Sequence, residues 1–120
     1  MSNNTCVSFT KGYSFRAYLG QTYTNDEGQE VPIPPEEWDA FVLVIAATFP
    51  GGFTIYDATG GYQYQGTTFT EPTKVLEVIV PRKGSRDQVL AFSGLVNRYT
   101  EQFNQSSQLW TSNKVRYFSG

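Results

Sequence analysis

The run Pro35-Glu36-Glu37-Trp38-Asp39-Ala40-Phe41-Val42-Leu43-Val44-Ile45-Ala46-Ala47-Thr48-Phe49-Pro50-Gly51-Gly52-Phe53-Thr54-Ile55-Tyr56-Asp57 spells out a capped helix, a forced stop and a strand. Trp38, Phe41, Val42, Ile45 and Phe49 recur at helical spacing and put one apolar stripe on one side. Pro34 and Pro35 suit a first turn, where a missing N–H costs little, and Glu36, Glu37 and Asp39 sit where the helix dipole favours negative charge. Pro50 cannot continue the helical ladder, and Gly51-Gly52 can turn the chain back. Phe53 and Ile55 then alternate with Thr54 and Tyr56 at strand period, and Ala58-Thr59-Gly60-Gly61 reads as a hairpin turn into Tyr62-Gln63-Tyr64-Gln65.

The flanking segments supply the other elements. A first strand is expected from about Cys6 to Leu19, because Tyr13, Phe15, Ala17 and Leu19 alternate with Ser14, Arg16 and Tyr18. Residues 1–5 are expected to be disordered, and the polar stretch Gln21 to Ile33 to be a mobile loop. Lys74 to Val80 is a β-branched strand ended by Pro81. After a charged turn, Arg82 to Asp87, the positions Val89, Phe92, Val96, Tyr99 and Phe103 predict a second amphipathic helix to about Asn104. A strand from Leu109 to Phe118 closes the chain. Strand, helix, strand, strand, helix, strand is the order of a ferredoxin-like split β-α-β unit: a single α+β domain, residues 1–120, with both helices on one face of an antiparallel sheet.

That fold leaves the second sheet face to be accounted for. If Phe15, Ala17, Leu19, Phe53, Ile55, Leu76, Val78 and Val80 face the helices, the pleat turns Arg16, Tyr18, Thr54, Tyr56, Val75, Glu77 and Ile79 outward. This set is too apolar and aromatic to be simply solvated, and predicts a second copy or a ligand over the face.

Composition narrows the chemistry. The 120 residues, 39% hydrophobic, allow one core. No run of about 18 apolar residues predicts a membrane span, and Met1-Ser2-Asn3-Asn4-Thr5 lacks an export pattern, so a cytoplasmic protein is expected. A formal net charge of −2 gives no footprint for duplex nucleic acid. The chain has no histidine, which excludes imidazole bases, Ser-His-Asp and Cys-His arrangements and histidine-based zinc sites. The single cysteine, Cys6, cannot form an internal disulfide, and nothing near it in sequence would activate its thiol. Gly51-Gly52 and Gly60-Gly61 lack the lysine and following helix of a phosphate loop.

Carboxylates remain as acid–base candidates, chiefly Asp57, Glu71 and Glu77. Asp57 reads as a turn-stabilising side chain and Glu71 as a rim residue before Pro72. Glu77 projects from an apolar strand and needs a partner, for which Arg16 is the candidate. Arg16, Tyr18, Tyr56 and Glu77, with Tyr62, Tyr64 and Trp110 as further stacking surfaces, form the expected ligand-binding set for a planar or nucleotide-like molecule. The reading is a non-enzymatic binding module with no catalytic residue, metal or cofactor. It is a homodimer or higher oligomer of an accessory or phage-encoded inhibitory type that sequesters a ligand or masks a protein partner. The alternative is a small carboxylate- or metal-dependent hydrolase working on the same face.

At Glu37-Trp38-Asp39-Ala40-Phe41, Phe49-Pro50-Gly51-Gly52-Phe53-Thr54, Gly60-Gly61-Tyr62, Glu71-Pro72-Thr73-Lys74-Val75-Leu76 and Tyr99, Phe103, Gln105, Ser107 and Leu109, the chain resembles a bacterial family of small proteins of unknown function. The pattern is an E-W-x-x-F helix, an F-P-x-G-x-T turn, a G-x-W strand in which Tyr62 here replaces tryptophan, a glutamate before a hydrophobic strand, and a Y-x-x-x-F-x-Q-x-x-x-L ending. The resemblance spans Tyr13 to Phe118 and implies a fold without implying an activity.

Overall fold

The computed structural model describes residues 7–106 and 108–119; Cys6 and the predicted disorder of residues 1–5 lie outside them. Strand β1 (Thr10–Gly20) leads into two short strands, β2 (Thr22–Thr24) and β3 (Glu30–Pro32), and then helix α1 (Pro35–Thr48). A long hairpin of β4 (Thr54–Tyr64) and β5 (Thr67–Pro81) follows, then helix α2 (Ser85–Gln102) and strand β6 (Trp110–Tyr117). The main sheet has the order β4-β5-β1-β6 with every neighbouring pair antiparallel. It is the ferredoxin-like arrangement expected from the element order.

The helix boundaries follow from local chemistry. Helix α1 starts behind Pro34 with Glu36 and Glu37 in its first turn, and its last bond runs from Phe49 N to Ile45 O at 2.9 Å before Pro50 ends the ladder. Gly52, at φ +137°, then redirects the chain. Phe41, Ile45 and Phe49 of the first stripe, and Phe92, Val96, Tyr99 and Phe103 of the second, are buried against Phe15, Ala17, Leu19, Leu76, Val78 and Val80. Both helices therefore cover one face of the sheet, and Trp38 sits at the margin of this core, partly buried.

Three expectations about elements are corrected. Gln21 to Ile33 is not a plain loop, because Thr22, Tyr23 and Thr24 pair with Pro32, Val31 and Glu30 in a two-stranded ribbon. Gly60-Gly61 is not the hairpin turn: β4 runs through it, and the chain reverses at Gln65-Gly66, with φ of 50° and 80°. A Cβ at Gly60 would stand 2.8 Å from Thr73 Oγ1, so the glycine admits a cross-strand neighbour rather than a turn. Asp57 consequently lies in mid-strand opposite Lys74, with which it forms an ion pair, and stabilises no turn.

The pairing has one further consequence for shape. β5 pairs with β1 only as far as Thr73, but with β4 as far as Thr67. Beyond Thr73 the hairpin is thus a two-stranded arm projecting from the end of the sheet, with Tyr62 and Tyr64 exposed on it.

Candidate functional site

The predicted outer-face residues do come together. Arg16 and Glu77 are direct partners in the β1–β5 register, and Arg16 Nε donates to Glu77 Oε2 at 2.6 Å. Ser14 Oγ donates to the same oxygen at 3.1 Å. The Glu77 carboxylate, by its hydrogen bond and its charge, holds the Arg16 guanidinium above its ordinary pKa. Val75 lies between Tyr18 and Tyr56 in register and is buried, whereas Tyr18, Tyr56 and Ile79 are 37, 43 and 47% exposed. The face is an apolar surface around a satisfied ion pair.

The remaining predicted site residues are elsewhere. Trp110 pairs in register with the inward-facing Ala17 and packs on Phe15 and Phe92, at ring-centroid separations of 6.0 and 5.1 Å. It belongs to the helix side of the sheet and does not join Arg16 and Tyr18, because the strand period places it on the opposite face. Tyr64 is exposed near the hairpin tip. Tyr62 is in the projecting arm, stacked on Phe69 with ring centroids 5.2 Å apart.

Tyr62 also opens onto a cleft of about 790 Å³ at the end of the sheet. The β2–β3 ribbon forms one wall with Thr22, Tyr23, Thr24 and Glu30, the hairpin arm forms the other with Tyr62, Phe69, Thr70, Glu71 and Pro72, and Asn104, Gln105 and Ser106 close the end. Backbone and side-chain bonds hold the walls in place. Gln21 N donates to Pro72 O at 3.0 Å, Asn104 Nδ2 to Thr24 O at 3.1 Å, and Gln105 Nε2 to Thr22 O at 2.7 Å. Beneath them the buried Tyr99 hydroxyl donates to Gly20 O and accepts from Gln21 Nε2. Burial pushes the Tyr99 pKa far above the phenol range, and the Glu71 charge adds to the rise.

The polar groups of this cleft are short of donors. Thr22 Oγ1 lies 2.8 Å from Glu71 Oε2 and 3.0 Å from Glu30 Oε1, yet one hydroxyl proton can serve only one carboxylate at a time. Glu71 Oε1 accepts no hydrogen bond from the described residues. Gln105 Oε1 accepts from Gln108 Nε2, just outside the lining, at 3.1 Å, while Gln108 Oε1 is buried with no partner among the described residues. Among the described residues no group of three or more His, Cys, Asp or Glu gathers to hold a metal ion. No helix among them is long and apolar enough to cross a membrane.

Sequence reasoning treated Glu71 as a rim residue and missed Thr22, Gln105 and Gln108 as a group. The only signal was indirect: Glu71, Tyr99 and Gln105, which carry part of the family resemblance from distant segments, meet around this one cleft. Residues 15–118 match the family model described as "Protein of unknown function (DUF3574)". The chain belongs to that family. A search of the curated proteins finds no match. Among solved structures, a phage SAM lyase in complex with S-methyl-5'-thioadenosine is similar at 15% identity and a TM-score of 0.54, over 98% of this chain and 97% of that one. A phage SAM lyase in the apo state gives a TM-score of 0.58 at 15% identity, over 91% of this chain and 90% of that one. At such identity the likeness is one of fold.

Proposed function

We propose that this DUF3574 protein binds a small nucleoside-like molecule in the cleft between the β2–β3 ribbon and the hairpin arm. The observation that carries the reading is the cleft itself, which combines a stacked aromatic pair, Tyr62 and Phe69, with hydrogen-bonding groups of Thr22, Glu71 and Gln105. An aromatic wall stacks a flat ring, and a few fixed polar groups orient what is attached to it. The likeness in fold to a protein solved with S-methyl-5'-thioadenosine supports that ligand class. Calorimetric titration with S-methyl-5'-thioadenosine tests it: binding in the native protein that weakens on Tyr62→Ala is expected, and no binding at millimolar ligand would remove the reading.

The same fold likeness favours a second reading, in which the cleft cleaves what it binds. With no histidine in the chain, Glu71 and Glu30, which both face Thr22, are the acid–base groups of the cleft, and Glu71 is the nearer of the two to Thr22. Incubation with SAM and chromatography of the products decides between binder and enzyme. S-methyl-5'-thioadenosine that forms with the native protein and not with Glu71→Gln would make it an enzyme.

The outer sheet face we assign to a second copy of this chain. Arg16 and Glu77 place both signs of charge within an apolar patch of Tyr18, Tyr56 and Ile79, and a patch carrying both signs can complement its own copy across a two-fold axis.

A further inference from the structure

The proposed ligand site has a charge preference written into its lining. Glu71 and Glu30 are both in the cleft wall, and none of the described lining residues is lysine or arginine. A phosphate entering there would meet two carboxylates without a counter-charge, which is the arrangement that repels a like-charged partner. A cation would meet the opposite situation, with Tyr62 and Phe69 adding ring faces that attract positive charge.

Gly20 shows where the positive group would be held. A Cβ on this residue would lie 3.0 Å from Glu71 Oε1, 3.1 Å from Glu71 Oε2 and 3.1 Å from Gln105 Oε1, close enough that these side chains would have to shift to admit it. The missing side chain therefore lets the carboxylate and the amide oxygen converge over bare backbone. Because both lie so near one point, a single group with several N–H bonds, standing above it, can reach both oxygens. Glu71 Oε1 has a lone pair free for it among the described residues, and one proton on Thr22 leaves a second carboxylate oxygen in want of a donor.

We propose that Glu71 and Gln105, set over Gly20, form an ammonium subsite, so that the cleft takes cationic nucleosides and rejects nucleotides. This rests on the nucleoside reading of the cleft, and the test separates the two. Calorimetry at pH 7 compares three probes of one scaffold: 5'-amino-5'-deoxyadenosine, adenosine and AMP. The amine is expected to bind about tenfold more tightly than adenosine, as one charge-assisted contact implies, with AMP weakest. Glu71→Gln, which keeps the shape and removes the charge, should bring the amine and adenosine within about threefold of each other. Gly20→Ala, whose backbone is not in the left-handed region, should do the same by pushing the two oxygens apart, with the fold checked by circular dichroism. AMP binding as tightly as the amine, or an amine preference that survives Glu71→Gln, would overturn the subsite and leave the nucleoside cleft standing. If none of the three binds, tryptamine against indole-3-propionate keeps the question open to decision. Preference for the amine, lost in Glu71→Gln, would uphold the subsite while the nucleoside reading falls, and no preference would overturn it.

Discussion

Arg16 and Glu77 are cross-strand partners whose side chains meet at 2.6 Å on the face of the sheet away from the helices. The arginine side chain is 43% exposed and the glutamate 21%, so water screens the pair, and geometry rather than strength is its main contribution. It fixes the charges inside a patch of tyrosines and leaves the cleft at the sheet end untouched. Arg16→Ala is accordingly expected to leave the urea midpoint of unfolding nearly unchanged. It should also leave binding of S-methyl-5'-thioadenosine in the cleft as in the native protein. Loss of that binding in Arg16→Ala would return the ligand site to the outer face, where the sequence alone had put it.

The seam assigned to that face has its own test. Ile79 is 47% exposed beside the ion pair and makes no part of the core cluster. Ile79→Lys should therefore lower the mass seen by light scattering from dimer to monomer at micromolar concentration and leave the urea midpoint of the monomer nearly unchanged. A native protein that is monomeric under these conditions would remove the seam.

The core predicts larger losses. Phe92 touches Phe15, Phe49 and Trp110, with ring centroids 5.4, 5.9 and 5.1 Å away, and Phe41 lies 5.0 Å from Tyr99. Phe92→Ala or Phe41→Ala should each cost about 3–5 kcal/mol in denaturant unfolding, because the surrounding rings cannot collapse into the space. A cost under about 1 kcal/mol at both would mean that the helix stripes do not carry the core.

How much of this was legible follows from which forces act locally. The helices and the inward pleat could be read because periodicity and the Pro50-Gly51-Gly52 stop are properties of neighbouring residues. The hairpin turn was misplaced because glycine serves two purposes. At Gly60 the missing Cβ makes room for Thr73, while the reversal falls to the less conspicuous Gln65-Gly66. The face of Trp110 could not be read from the sequence, because its parity depends on the register of β6 against β1, which a single strand does not encode. The cleft was hidden for a stronger reason. Thr22, Glu71, Tyr99 and Gln105 come from four segments, and the ribbon that brings Thr22 to Glu71 is polar, with too few apolar residues to announce two strands.

Tyr99 ties the core to the floor of that cleft, and its chemistry predicts a pH dependence. Its hydroxyl donates to Gly20 O and accepts from Gln21 Nε2, so Tyr99→Phe leaves a carbonyl and an amide short of a partner and should cost about 1–3 kcal/mol at pH 7. Burial, with the Glu71 charge behind it, raises the folded-state pKa above the value of about 10 that the residue has in an unfolded chain. The folded protein therefore keeps the proton at a pH where the unfolded chain releases it. By linkage the contribution of Tyr99 is fully present below about pH 10 and is lost as the pH rises from there through the folded pKa. Urea unfolding from pH 7 to pH 11 should then show native stability falling faster above about pH 10 than that of Tyr99→Phe, so that the two curves converge. Parallel curves would mean that another group governs the alkaline limb, and that the hydroxyl under Gly20 is not held as its burial requires.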